Sequence, residues 1–164
     1  MDKLRFIHTA DLHLGGPLNC GGDPPVHLTT LFNEAGYRSL ELICDRALEY
    51  EVDFVIIAGD IYDREARSVK ASRFFVEQCQ RLQEENIPVY VISGNHDPLS
   101  EKEDPFTPPD NVHIFDSSEV ETREYFGKNE KLKAQILGQS YRCKFESRIM
   151  YRYFTIDNES VNNI

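Results

Sequence analysis

The chain has 164 residues, 40% apolar and 28% charged, with a formal net charge of −10. That length fits one domain with a core of its own, and no apolar run approaches the roughly 20 residues of a membrane-spanning helix. The acid excess argues against gripping nucleic acid by bulk electrostatics, which rests on Lys and Arg at phosphates.

Met1-Asp2-Lys3-Leu4 leads straight into an apolar run at residues 4–7, without a secretory pattern. The run is expected as a buried strand, and Asp11-Leu12-His13 follows it. Residues 15–25, rich in Gly, Pro, Asn and Asp, are expected as a long loop beside that pair. From Thr30 to about Tyr50, Leu40, Ile43, Cys44, Ala47 and Leu48 recur on one helical face. Residues 54–58 are a continuous apolar run, the pattern of a strand covered on both faces by helices, and end at Gly59-Asp60. Ser68 is expected to cap a helix to about Glu85, with Ala71, Phe74, Phe75, Cys79 and Leu82 inward; Asn86 and Pro88 stop it. A third run, residues 89–92, leads to Gly94-Asn95-His96-Asp97. This β-α-β-α-β series predicts an α/β fold with a parallel sheet.

The style then changes. Residues 98–110 form a loop with four prolines, and residues 112–115 a short strand. Residues 119–126 and 131–137 flank the turn-like Gly127-Lys128-Asn129-Glu130 and predict a hairpin. Signals beyond Ser140 are mixed, and residues 160–164 are expected to fray. No linker divides residues 1–164. Cys20, Cys44, Cys79 and Cys143 form no Cys-x-x-Cys pair, and buried free thiols in a cytoplasmic protein are expected.

Loops at the carboxyl ends of parallel strands meet along one sheet edge. Asp11, His13, Asp60, Asn95 and His96 are therefore expected to converge there. Oxygen and imidazole donors without thiolate suit manganese, iron, zinc or magnesium. Asp11 and His13, two apart in an extended strand, would point to the same side and chelate one ion. Asp60 could bridge that ion and a second, and Asn95 offers the second a neutral oxygen. Such pairs of ions serve phosphoester hydrolysis. His8 is expected as a packed strand histidine, and His27 and His113 as plain surface or core residues.

Phe6-Ile7-His8-Thr9-Ala10-Asp11-Leu12-His13-Leu14-Gly15, Ala58-Gly59-Asp60-Ile61-Tyr62-Asp63 and Val91-Ile92-Ser93-Gly94-Asn95-His96-Asp97 resemble three motifs of the calcineurin-like metallophosphoesterases. Within that family they are most similar to the SbcD and YhaO-type DNA repair exonucleases. The resemblance implies two divalent ions, Mn2+ by expectation. One would be held by Asp11, His13 and Asp60, the other by Asp60 and Asn95. It also implies His96 as proton donor or charge stabiliser, with Asp97 orienting its ring. Asp63 stands where some members carry a catalytic histidine and is expected as a structural or supporting carboxylate. Arg64 and Arg67 are expected at a solvated helix start.

Full members carry later ligand histidines, including a Gly-His-x-His motif, whereas the last histidine here is His113. The chain is therefore expected as the amino-terminal portion of a longer nuclease domain, nearly inactive alone. DNA, an SbcC-like ATPase and a second copy of the chain are the expected partners. A small-substrate phosphodiesterase and a catalytically dead partner-binding module are the alternatives.

Overall fold

The structure is a computed structural model that describes residues 3–18, 21–22, 24–63, 68–99, 107–156 and 160–164. Strands β1 (Phe6–Thr9), β2 (Phe54–Ala58), β3 (Val89–Ile92) and β4 (Val112–Ile114) form one parallel sheet in that order. Helix α1 (Thr29–Glu49) joins β1 to β2, and α2 (Val69–Glu84) joins β2 to β3. Strands β5 (Glu121–Phe126), β6 (Leu132–Gly138) and β7 (Asn162–Asn163) form a second sheet. In it β5 and β6 are antiparallel, and β7 lies parallel to β6.

The ends of α2 follow the sequence. Ser68 Oγ accepts from the Ala71 N–H at 3.2 Å, satisfying a first-turn donor the helix cannot pair. Asn86 turns left-handed, at φ 57°, and Pro88 stands two residues on.

The two faces of the parallel sheet meet different partners. With strands in consecutive order and crossovers of one hand, α1 and α2 fall on the same face. Val55, Ile57, Val89 and Val91 pack there against Leu40, Cys44 and Ala47 of α1 and Ala71, Phe75, Cys79 and Leu82 of α2. The alternate residues Phe54 and Tyr90 point to the other face and pack with Phe115, Ala134 and Ile136. The expectation of helices on both faces of β2 is thus corrected: the second cover is the β5–β7 sheet.

Smaller corrections have local causes. The first strand begins at Phe6 rather than Leu4, because the Arg5 N–H goes to the Asp53 carboxylate at 2.8 Å. His8 is exposed rather than packed, since β1 is an edge strand. Residues 162–163 pair instead of fraying: the Ile164 N–H donates to the Gln135 carbonyl, and its carbonyl accepts from Leu137. Cys44 and Cys79 are buried free thiols, as expected, and burial pushes the Cys44 pKa up to about 12. Cys143 is exposed. Cys20, Arg64 and Arg67 lie outside the described residues. No helix among the described residues is long and apolar enough to cross a membrane.

Candidate metal centre

Three loops leave β1, β2 and β3 at the carboxyl edge of the sheet and are tied to one another through backbone groups. Beyond β1, the N–H groups of Asp11, His13 and Leu14 donate to the carbonyls of Gly59, Asp60 and Ile61 at 3.1, 3.0 and 2.8 Å. Asp97 then binds the second loop to the third. Its carboxylate accepts from the N–H groups of Asp60 (3.2 Å), Ile61 (2.7 Å), Tyr62 (3.3 Å) and Gly94 (2.8 Å). Burial pushes the Asp97 pKa up; the N–H bonds from Gly94, Ile61 and Tyr62 pull it down, and neighbouring Asp60 adds to the rise.

Gly59 and Gly94 let these loops approach. A Cβ on Gly94 would sit 2.2 Å from Asp60 Oδ1 and 2.8 Å from the Asp60 backbone nitrogen. Gly59 is left-handed, at φ 91°.

Asp11, His13 and Asp60 also have left-handed backbones, at φ 56°, 45° and 54°. None is glycine, so each carries strain of about 1 kcal/mol. The extended spacing expected of Asp11 and His13 is therefore corrected. They converge because both residues turn left-handed past the end of β1, not because a strand points both the same way.

One donor atom from each of Asp11, His13 and Asp60 lies within 4.8 Å of the others, and the same holds for His13, Asp63 and His96. His13 belongs to both groups. Its Nε2 is 3.7 Å from Asp11 Oδ1, and its ring meets the His96 ring edge-on at 4.9 Å. Asp60 is nearly buried and accepts from the His96 N–H at 2.9 Å. Ligand atoms about 2 Å from an ion lie up to ~4 Å apart, so small shifts would close either group on one. Carboxylates with imidazole and no thiolate fit a hard or borderline divalent ion.

Sequence reasoning and structure differ over His96. Its Nδ1 is 3.3 Å from Asp63 Oδ1, while Asp97, expected to orient the ring, is occupied by four backbone N–H groups. Asp63, expected as a structural or supporting carboxylate, is the one that meets the ring. Its signal was position, three residues beyond Asp60 in the same loop. Asn95 is half-buried between Gly94 and His96. His27 and His113 belong to neither donor group; His27 is exposed, and the His113 ring lies 5.3 Å from that of Tyr90.

Residues 4–159 match the calcineurin-like phosphoesterase family. The chain belongs to that family, whose members are metal-dependent phosphoester hydrolases, and its parallel sheet with flanking helices accords with it. It is 40% identical over 144 residues to the metallophosphoesterase YhaO of Bacillus subtilis, covering 88% of this chain and 35% of the relative. It is 34% identical over 97 residues to the DNA double-strand break repair protein Mre11 of Archaeoglobus fulgidus, covering 59% of this chain and 20% of the relative. The Mre11 protein of Methanococcus maripaludis is 38% identical over 94 residues, with 57% and 23% covered. The chain thus spans about a third or less of the length of these relatives.

Proposed function

We propose that residues 1–164 are the amino-terminal portion of a metal-dependent phosphodiesterase domain that cleaves DNA as a repair exonuclease. The observation that carries this reading is the convergence of Asp11, His13 and Asp60 on strained loops at one sheet edge, with His96 alongside. Asp11, His13 and Asp60 would hold one divalent ion, Mn2+ on this reading, and Asp60 with Asn95 part of the shell of a second. Bound ions of this kind polarise a phosphoryl oxygen and lower the pKa of water.

The chain's own residues supply the rest. With Nδ1 held against Asp63, the Nε2 of His96 is the nitrogen left to carry a proton to the leaving oxygen. Asp97 is a positioning residue: it fixes the loop bearing Asp60 against the loop bearing His96. The similarity to Mre11 proteins supports DNA as substrate. On this reading the partners are DNA, an SbcC-like ATPase and a second copy of the chain. The compartment is the cytoplasm, in keeping with the free thiols of Cys44 and Cys79.

The test is manganese-dependent cleavage of a labelled DNA duplex and of a simple aryl phosphodiester. It compares the 164-residue chain with the longer protein of which it would form the first part. Near-inactivity of the short chain and metal-dependent DNA cleavage by the long one are expected. Robust cleavage by the short chain would overturn the division of the site. Diester hydrolysis without DNA cleavage by the long chain would favour a small-substrate phosphodiesterase.

A further inference from the structure

Residues 141–156 break the charge pattern of the chain. They hold four cations, Arg142, Lys144, Arg148 and Arg152, against the single carboxylate of Glu146, in a chain of net charge −10. Aromatic residues are interleaved with these cations. Large rings are usually well covered, yet Phe145 is 86%, Tyr151 73% and Tyr153 61% exposed. Glu146 is taken by Arg148, which pairs with it and pulls its carboxyl down to about 2. Arg142, Lys144 and Arg152 are exposed and form no ion pair among the described residues.

The position of the segment matters as much as its composition. The Tyr141 N–H donates to the Ser93 carbonyl at 2.9 Å, and the Tyr141 carbonyl accepts from Leu99 at 3.1 Å. The segment therefore departs from the loop that carries Asn95 and His96. Its second anchor is Arg148, whose Nη1 donates to the Ser117 and Ser118 carbonyls at 2.8 and 3.3 Å, just beyond β4. Both anchors lie at the carboxyl edge of the parallel sheet, the edge that bears the candidate metal centre.

We infer that residues 141–156 form a landing surface for single-stranded nucleic acid beside the metal centre. Arg142, Lys144 and Arg152 meet phosphates, and Phe145, Tyr151 and Tyr153 lie under bases. Charge favours this occupant: a cationic strip on an acidic protein attracts a polyanion locally while the remainder repels it. The rings favour single strands over duplex, because stacking on aromatic side chains needs base faces that a duplex hides. The surface rests on the phosphodiesterase reading for its use, the delivery of a strand end to the site, but not for the binding itself.

The test is fluorescence anisotropy of a labelled oligothymidylate with the 164-residue chain, in EDTA, over a range of salt. Single strand should bind about ten-fold or more tightly than a duplex of equal length. Replacing Arg142, Lys144 and Arg152 together by Ala should flatten the slope of log K against log salt by about 2, at ~0.7 per phosphate contact. The double variant Tyr151→Ala/Tyr153→Ala should weaken binding by about ten-fold or more with the slope unchanged. Thermal melts matching the parent would show that both variants fold. No binding by the parent chain, or unchanged affinity in both variants, overturns the inference. So does loss of a dimer in the variants with oligonucleotide affinity intact, which would make the strip a self-association surface. Manganese binding through Asp60 without oligonucleotide binding sinks this inference alone. Oligonucleotide binding without manganese binding sinks the metal reading alone.

Discussion

At the carboxyl edge of the parallel sheet, Asp11, His13 and Asp60 all hold left-handed backbones, whereas the β5–β6 hairpin keeps its left-handed residue, Glu130, for the turn. The hairpin is held by conventional means. Ala134 and Ile136 bury against Phe54, Tyr90 and Phe115, and the Tyr125 hydroxyl donates to Asp53 at 3.0 Å. The sheet edge is held by polar ties, chiefly the Asp97 carboxylate and the backbone bonds from Asp11, His13 and Leu14. Among the described residues, strain that no chain reversal requires is confined to three of the four expected metal ligands, Asp11, His13 and Asp60. A fold that needed only stability would have placed glycine there.

The contrast can be broken at several points. Asp97→Ala should have the largest effect, destabilising by about 4 kcal/mol in urea unfolding, because it strands buried N–H groups of two loops at once. A loss under about 1 kcal/mol would mean that the loops do not depend on this carboxylate. Gly94→Ala should cost about 2 kcal/mol, since its Cβ meets both the carboxylate and the backbone of Asp60. It should also weaken manganese binding in calorimetry; unchanged affinity would show that Asp60 need not hold its observed place. Tyr125→Phe, in the hairpin, should cost about 1 kcal/mol and leave manganese binding alone.

The smallest change sharpens the comparison most. Asp11 is left-handed, and its side chain is 72% exposed. Asp11→Gly should raise stability by up to about 1 kcal/mol while weakening manganese binding. If Asp11→Gly destabilised the chain, strain at the ligands would not be the mark of function proposed here.

Legibility in the sequence follows the same division. Strands β2 and β3 are readable to the residue because each is an unbroken apolar run between turn residues. Helix α2 is readable at both ends because Ser68 caps it and Asn86 with Pro88 ends it. That the loops bearing Asp11, His13 and Asp60 meet at one sheet edge is readable from the β-α-β-α-β pattern, but the left-handed turns that bring Asp11 and His13 together are not. What the carboxylates of Asp63 and Asp97 do is not readable either, because each is decided by a group that arrives from more than thirty residues away, the His96 ring at Asp63 and the Ile61 N–H at Asp97. Strand β7 is equally hidden, since Asn162 and Asn163 have neither alternation nor apolar run and pair only because β6 offers an open edge.

The most direct measurement is paramagnetic broadening of the 15N-labelled chain by substoichiometric Mn2+. Amide resonances of Asp11, His13, Asp60, Asn95 and His96 should vanish first, while those of the β5–β6 hairpin stay sharp, and Asp60→Asn should abolish the effect. Broadening centred instead on Glu51 and Asp53, or spread evenly over the acidic surface, would contradict a metal centre at the carboxyl edge of the sheet.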